Sequence, residues 1–228
     1  MSSARSVALD PGRSVVEQLR ERVAAMESKT ESKAAGEPVP TLPGLAGLVS
    51  LHAGATYAVD SASLALALAA GASRAGEWVG FAGWPDFGAE AAAELGIELS
   101  RTVLVPDPGE HWLEVTAALV DVLRVVVLRP PASVDERTAA VLDSRLRTRS
   151  SVLVVQGDWP RVEARLSLEG ATWSGPAAGA GQLEQRRAHV VVRRGARPAQ
   201  RVELSWPGVR PVGPDAPRRV REIHRASG

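Results

Sequence analysis

Residues 56–63 read Thr-Tyr-Ala-Val-Asp-Ser-Ala-Ser: a run of strand formers, a polar turn, and the start of an Ala-rich helix. A turn that joins a buried strand to a helix is where many α/β proteins hold a nucleotide phosphate. That chemistry needs glycines, so that backbone N–H groups can close on the anion. It also needs a lysine that reaches the β- and γ-phosphates and a Ser or Thr hydroxyl for magnesium. The turn Val59-Asp60-Ser61-Ala62-Ser63 has neither glycine nor lysine, and Asp60 puts negative charge where a phosphate would lie. The plainer role for Asp60 or Ser61 is to cap the helix. The sharper one is residual nucleotide binding without hydrolysis. No lysine elsewhere substitutes, because the chain's only lysines, Lys29 and Lys33, precede the core.

The metal-side acid is missing too. Phosphoryl-transfer sites of this kind end an apolar strand in an aspartate that supports magnesium. Here Val125-Val126-Val127-Leu128 runs into Arg129-Pro130-Pro131. Arg129 has two readings: it neutralises Asp60 if their strands are neighbours, or it points to solvent. Other chemistries find no residues. There is no cysteine, so thiol catalysis, disulfides and Cys-based zinc sites are excluded. His52, His111, His189 and His224 are scattered without metal-ligand spacing. His111 beside Glu110 is a helical neighbour pair that faces two directions. No catalytic residue, metal or cofactor is expected.

The elements that position this turn alternate regularly. Strands are expected at Thr56–Val59, Trp78–Ala82, Arg101–Val105, Arg124–Leu128 and Val152–Gln156. Helices are expected at Ala62–Ala75, Asp86–Leu95, Glu110–Val122 and Val134–Arg149, with Gly76 and Gly96 as stops. Asp107 caps the third helix, and Ser133 with Glu136 forms a capping box for the fourth. This order predicts an α/β fold with a mostly parallel sheet flanked by helices. After Trp159 the period changes to two. Val162–Leu168, Ala171–Ser174, Gln182–Arg193 and Val202–Trp206, separated by Gly-rich turns, predict an antiparallel C-terminal extension from about residue 160.

The ends differ from this core. Residues 1–28 hold a helix over about Val15–Glu27, with Val15, Leu19, Val23 and Met26 on one apolar face and Ser14 and Glu17 as a capping box. Residues 29–43 are a linker, 44–206 the core with its extension, and 207–228 a basic tail that a partner would order. Residues 1–160 carry a net charge of −6 and residues 161–228 one of +7. A basic module on an acidic body suits nucleic acid or an acidic partner, though a solvated surface explains it as well. Arg186, Arg187, Arg193, Arg194, Arg197 and Arg201 are placed to track phosphate. Trp173 or Trp206 could stack bases, although both fit strand cores. No signal peptide or membrane-length apolar run is present, which predicts a cytoplasmic protein.

These segments resemble the RecA superfamily and, within it, the actinobacterial ImuA-type mutagenesis accessory proteins. The resemblance covers roughly residues 14–206. It rests on SVVEQLRERVAAME, SASLALALAAGASRAGEWVGFAGWPDFG, AAELGIELSRTVLVPDPGEHW, VLRVVVLRPP, GDWP, LSLEGATWSG and GQLEQRRAHVVVRR, in that order. It implies a RecA-like core in which Ser61 and Ala62 stand at the Lys and Thr of the phosphate loop. Trp84 then lies near the catalytic glutamate, and Arg129 replaces the magnesium-side aspartate. It further implies a non-catalytic adaptor in damage-induced translesion synthesis. The partners would be an ImuB-type inactive Y-family polymerase and, indirectly, an error-prone DnaE-type polymerase, with RecA, a second copy or DNA as further partners and no membrane. The contact residues expected are Val15, Leu19, Val23 and Met26, and in the tail Arg218, Arg219, Val220, Arg221, Ile223 and Arg225. The alternatives are a single-stranded DNA-binding RecA-like protein and a SulA-like division inhibitor.

Overall fold

A computed structural model describes residues 36–175 and 185–212. The expected helix with Val15, Leu19, Val23 and Met26 lies outside the described residues. So do Arg218, Arg219, Val220, Arg221, Ile223 and Arg225 of the tail, and most of the Gly-rich turn after Ser174. The described residues from Glu37 onward belong to one compact unit.

The chain enters through Pro38–Val39 (β1), which pairs antiparallel with Leu51–His52 (β2). The alternation then follows: Thr56–Val59 (β3), Ala62–Arg74 (α1), Val79–Ala82 (β4), Ala89–Leu95 (α2), Thr102–Val105 (β5), Trp112–Val122 (α3), Val125–Leu128 (β6), Glu136–Arg149 (α4) and Val152–Gln156 (β7). The last strands are Ala164–Ser174 (β8), Gln185–Arg193 (β9), Gln200–Trp206 (β10) and Arg210–Pro211 (β11). Among the described residues the main sheet has the order β11-β10-β9-β8-β3-β7-β6-β4-β5. Every neighbour pair from β8 to β5 is parallel, and every pair from β8 to β11 is antiparallel.

The apolar strands sort residues by parity, because successive side chains leave a strand on opposite faces. Tyr57, Val59, Phe81, Val125, Val127, Val152 and Val154 pack with α1 and α2. Val126, Leu128, Leu153 and Val155 pack with α3 and α4 through Val120, Leu142 and Leu146. Strands β3, β4 and β6 are buried along their whole length, as a sheet covered on both faces requires. On the extension, Ala188, Val190, Val192 and Leu204 continue the first cluster.

Several bounds differ from expectation: β4, β5 and β6 each begin one residue later, β1 and β11 lie where linker and tail were expected, and three helix starts and one strand differ further. The second helix begins at Ala89 rather than Asp86, with Gly88 at the cap position, and the Asp86 carboxylate accepts from Arg129. The third begins at Trp112, after a 3-10 turn at Gly109–His111 whose Gly109 N–H is accepted by Asp107. The fourth begins at Glu136, and Asp135, not Ser133, is the cap, accepting the Thr138 N–H at 2.7 Å. The two segments expected around residue 170 are one strand, β8. A register shift between Glu169 and Thr172, with Gly170 at φ 63°, absorbs the break in period.

Candidate functional site

The carboxyl ends of β3, β4, β6 and β7 meet on one rim of the sheet, the place where open α/β sheets hold ligands. At the end of β3, both carboxylate oxygens of Asp60 accept the Leu168 N–H, at 3.2 and 3.1 Å. The Asp60 N–H donates to the Leu166 carbonyl at 3.3 Å. Asp60 therefore extends the pairing of β3 with β8. Ser61 is the helix cap, its hydroxyl accepting the Leu64 N–H at 3.4 Å. Ala62 and Ser63 follow in the first turn of α1 and are half-buried.

Trp84, past the end of β4, is 3% exposed and meets Phe81 edge-on at 5.7 Å between ring centroids. The guanidinium carbon of Arg129 lies 4.5 Å from the centre of the Trp84 ring. Arg129 Nη1 donates to Asp86 Oδ1 at 2.6 Å, and Nε donates to Gln156 Oε1 at 3.0 Å. The Arg129 hydrogen bond holds the Asp86 carboxyl below its ordinary range. Gly83 makes this assembly fit: at φ 75°, an added Cβ would lie 2.2 Å from the Arg129 carbonyl oxygen. Only a residue without Cβ lets the two chain segments pass so closely.

Neither earlier reading of Arg129 survives unchanged. Strand β7 lies between β3 and β6, so Arg129 reaches Gln156 on that intervening strand and not Asp60. Nor does it point free into solvent, since three partners hold it. The arrangement is a charge pair in which the guanidinium lies over an aromatic ring. Its other members, Asp86, Phe87 and Gln156, carry no sequence signal beyond the position of Gln156 at a strand end. Phe87 packs on Phe81 at 4.8 Å.

An open groove of about 680 Å³ lies near the opposite end of α1, lined in part by Arg74, Gly96, Glu98 and Arg101. Arg74 and Arg101 donate to the carbonyls of Leu95 and Gly76 at 2.8 and 2.7 Å. Their charge thus closes the ends of two helices.

The six arginines expected to track phosphate do not form one row. Arg187 bonds Gln185 weakly at 3.4 Å, while Arg193 and Arg201 both pair with Glu169, at 3.6 and 3.2 Å. Arg194 donates to the Leu48 carbonyl at 2.6 Å and to Gln200 at 2.9 Å. Arg197 closes the β9–β10 turn through its N–H to the Arg194 carbonyl at 3.0 Å. Arg186 is on the face that carries Ala188 and Val190, between Trp173 of β8 and Trp206 of β10. Burial lowers the Arg186 pKa. Of the two tryptophans, Trp206 is 6% exposed and Trp173 is 56% exposed. Among the described residues no group of three or more His, Asp or Glu side chains is arranged to hold a metal ion, and no helix is long and apolar enough to cross a membrane.

Residues 42–161 match the family model described as the MT3502 N-terminal domain. That span ends shortly after β7, so the antiparallel strands lie beyond it. The chain is also similar to the uncharacterized protein Rv3395c of Mycobacterium tuberculosis. The two are 35% identical over 164 residues, which covers 70% of this chain and 78% of that protein.

Proposed function

The chain belongs to the MT3502 N-terminal domain family, and from that premise we propose that it is a non-catalytic adaptor in damage-induced translesion DNA synthesis. On this reading the core is RecA-like and of the ImuA type, and the protein works in the cytoplasm. It links an ImuB-type inactive polymerase to an error-prone DnaE-type polymerase. The relation to a mycobacterial protein is consistent with an actinobacterial protein of this type. The observation that carries the non-catalytic half is the stack of Arg129 on Trp84. On this rim Arg129 is engaged with an indole, a carboxylate and an amide, which supports a rim without nucleotide chemistry. Asp60, the residue nearest the expected phosphate position, is bound to the backbone of β8.

A scaffold retained around such a rim serves through its surfaces. The test is co-purification with an ImuB-type protein from DNA-damaged cells, using the full chain and a chain ending at residue 212, which keeps β11 and the buried Val209. Recovery by the full chain and loss on truncation support the adaptor reading with the tail as its contact. Equal recovery removes the tail from it, and failure of both forms rejects it. Steady-state release of phosphate from ATP with magnesium, well above a buffer blank and abolished by changing Ser61, would reject the non-catalytic half.

A further inference from the structure

Trp173, Arg186 and Trp206 stand opposite one another on three adjacent strands. Arg186 is the register partner of Trp173 on β8 and of Trp206 on β10. Its guanidinium carbon lies 5.5 Å from the centre of the Trp173 ring and 4.9 Å from that of Trp206. Both distances are within the range of cation–π attraction. The inner ring is buried in the core, and the outer one is 56% exposed. The reason is the sheet edge: β3 pairs with β8 only at Ala164–Leu166, so Trp173 has no strand beyond it. The register shift before Thr172 puts Trp173 on the row of Arg186.

Two features of this row point outward. The guanidinium makes no hydrogen bond among the described residues, and its Nε is buried without a partner. Burying that Nε without a partner is costly, while the terminal N–H groups, which are not among the buried unpaired atoms, remain available to water or to a ligand. The Trp173 ring has that cation 5.5 Å from its centre and is 56% exposed. An aromatic platform beside an unpaired guanidinium suits a group with a flat π-face and an attached anion. That pairing is what each nucleotide of a single strand presents.

We propose that Trp173 and Arg186 form a contact site for single-stranded nucleic acid, with a base stacked on Trp173 and the adjoining phosphate bonded to Arg186. The basic C-terminal third, with its net charge of +7, supplies the long-range attraction. The site is independent of the adaptor reading, since it needs neither polymerase.

The experiment titrates the full-length protein with a fluorescently labelled oligo-dT of about 20 nucleotides and follows anisotropy at several salt concentrations. Wild type binds, and affinity falls as salt rises, as release of counterions requires. Trp173→Ala weakens binding on the order of tenfold, the scale of one lost stacking contact, while Trp173→Phe keeps most of it. Arg186→Gln weakens binding and flattens its salt dependence, and Arg186→Lys restores the slope. Trp173 is largely exposed, so its alanine variant keeps the wild-type circular dichroism. Two results overturn the proposal: no binding by wild type at low salt, or a Trp173→Ala variant within twofold of wild type. Capture of an acidic peptide in place of the oligonucleotide also overturns it. Co-purification of Trp173→Ala with an ImuB-type protein separates this outcome from failure of the adaptor reading.

Discussion

Arg129 lies over the Trp84 ring, its guanidinium carbon 4.5 Å from the ring centre, although the two residues follow different strands. The pair joins the ends of β4 and β6, and Gln156 ties in β7. One side chain thus bridges the carboxyl ends of three parallel strands.

The two members of this pair contribute unequally to stability. Trp84 is buried at 3% exposure, so Trp84→Ala removes a large core side chain and costs about 3–5 kcal/mol. Arg129 is partly exposed, with 29% of its side chain accessible, so Arg129→Ala costs less, about 1–2 kcal/mol from the cation–π and polar contacts together. Arg129→Lys retains charge but loses the planar stack and falls between. Urea unfolding of the three variants checks the order.

Gly83→Ala tests the close approach beneath Arg129. A Cβ there meets the Arg129 carbonyl oxygen at 2.2 Å, and the backbone sits at φ 75°. Gly47 has a similar φ of 81° with nothing within 4 Å. Gly47→Ala therefore pays only backbone strain, about 1 kcal/mol. Gly83→Ala costs at least twice that, because backbone must move as well. Equal thermal shifts for the two variants would show that the contact is slack.

The ion pair at the rim makes a pH prediction. The Arg129 hydrogen bond lowers the Asp86 pKa from its ordinary 3.8 in the folded state. A depressed carboxyl stabilises the fold above its unfolded pKa and loses that contribution as pH falls through the folded value. The stability difference between wild type and Asp86→Asn is then constant near neutrality and shrinks below about pH 4. A difference that stays constant down to pH 2 contradicts the pairing.

Tyr57 makes the opposite prediction at high pH. Burial is the main cause raising its pKa from 10.0 to about 12, and its hydroxyl donates to the Ser50 carbonyl at 2.9 Å. A raised folded pKa means that stability is fully present below pH 10.0 and declines as pH rises through 12. Tyr57→Phe loses about 1 kcal/mol at neutral pH from the missing hydrogen bond. Its stability is flatter between pH 10 and 12, which guanidinium titrations at several pH values resolve.

Much of the architecture was legible because it is local. Apolar runs bounded by glycine and capping residues placed β3, β7 and the last residue of every strand from β3 to β7 as the structure has them, and the change to period two located the extension. Helix starts were the weak point. Asp86, Ser133 and Glu110 all look like first-turn residues, but a side chain's hydrogen bond is settled by its neighbours in space. Asp86 has a guanidinium in reach, and Asp135 is better placed than Ser133 to accept from Thr138.

By itself the sequence determined that the β3–α1 turn has no lysine or glycine for phosphate, that no lysine follows residue 33, and that charge divides near residue 160. These are matters of composition and order. Only the tertiary structure decided which side chains meet at the carboxyl ends of the strands. Strand order, set by long-range burial of both sheet faces, put β7 between β3 and β6 and kept Arg129 from Asp60. Strand register, set by one shift at Glu169 and Thr172, aligned Trp173 with Arg186 and Trp206. Moving a register by one residue sends every side chain to the other face, so no reading of the separate strands could have placed that row.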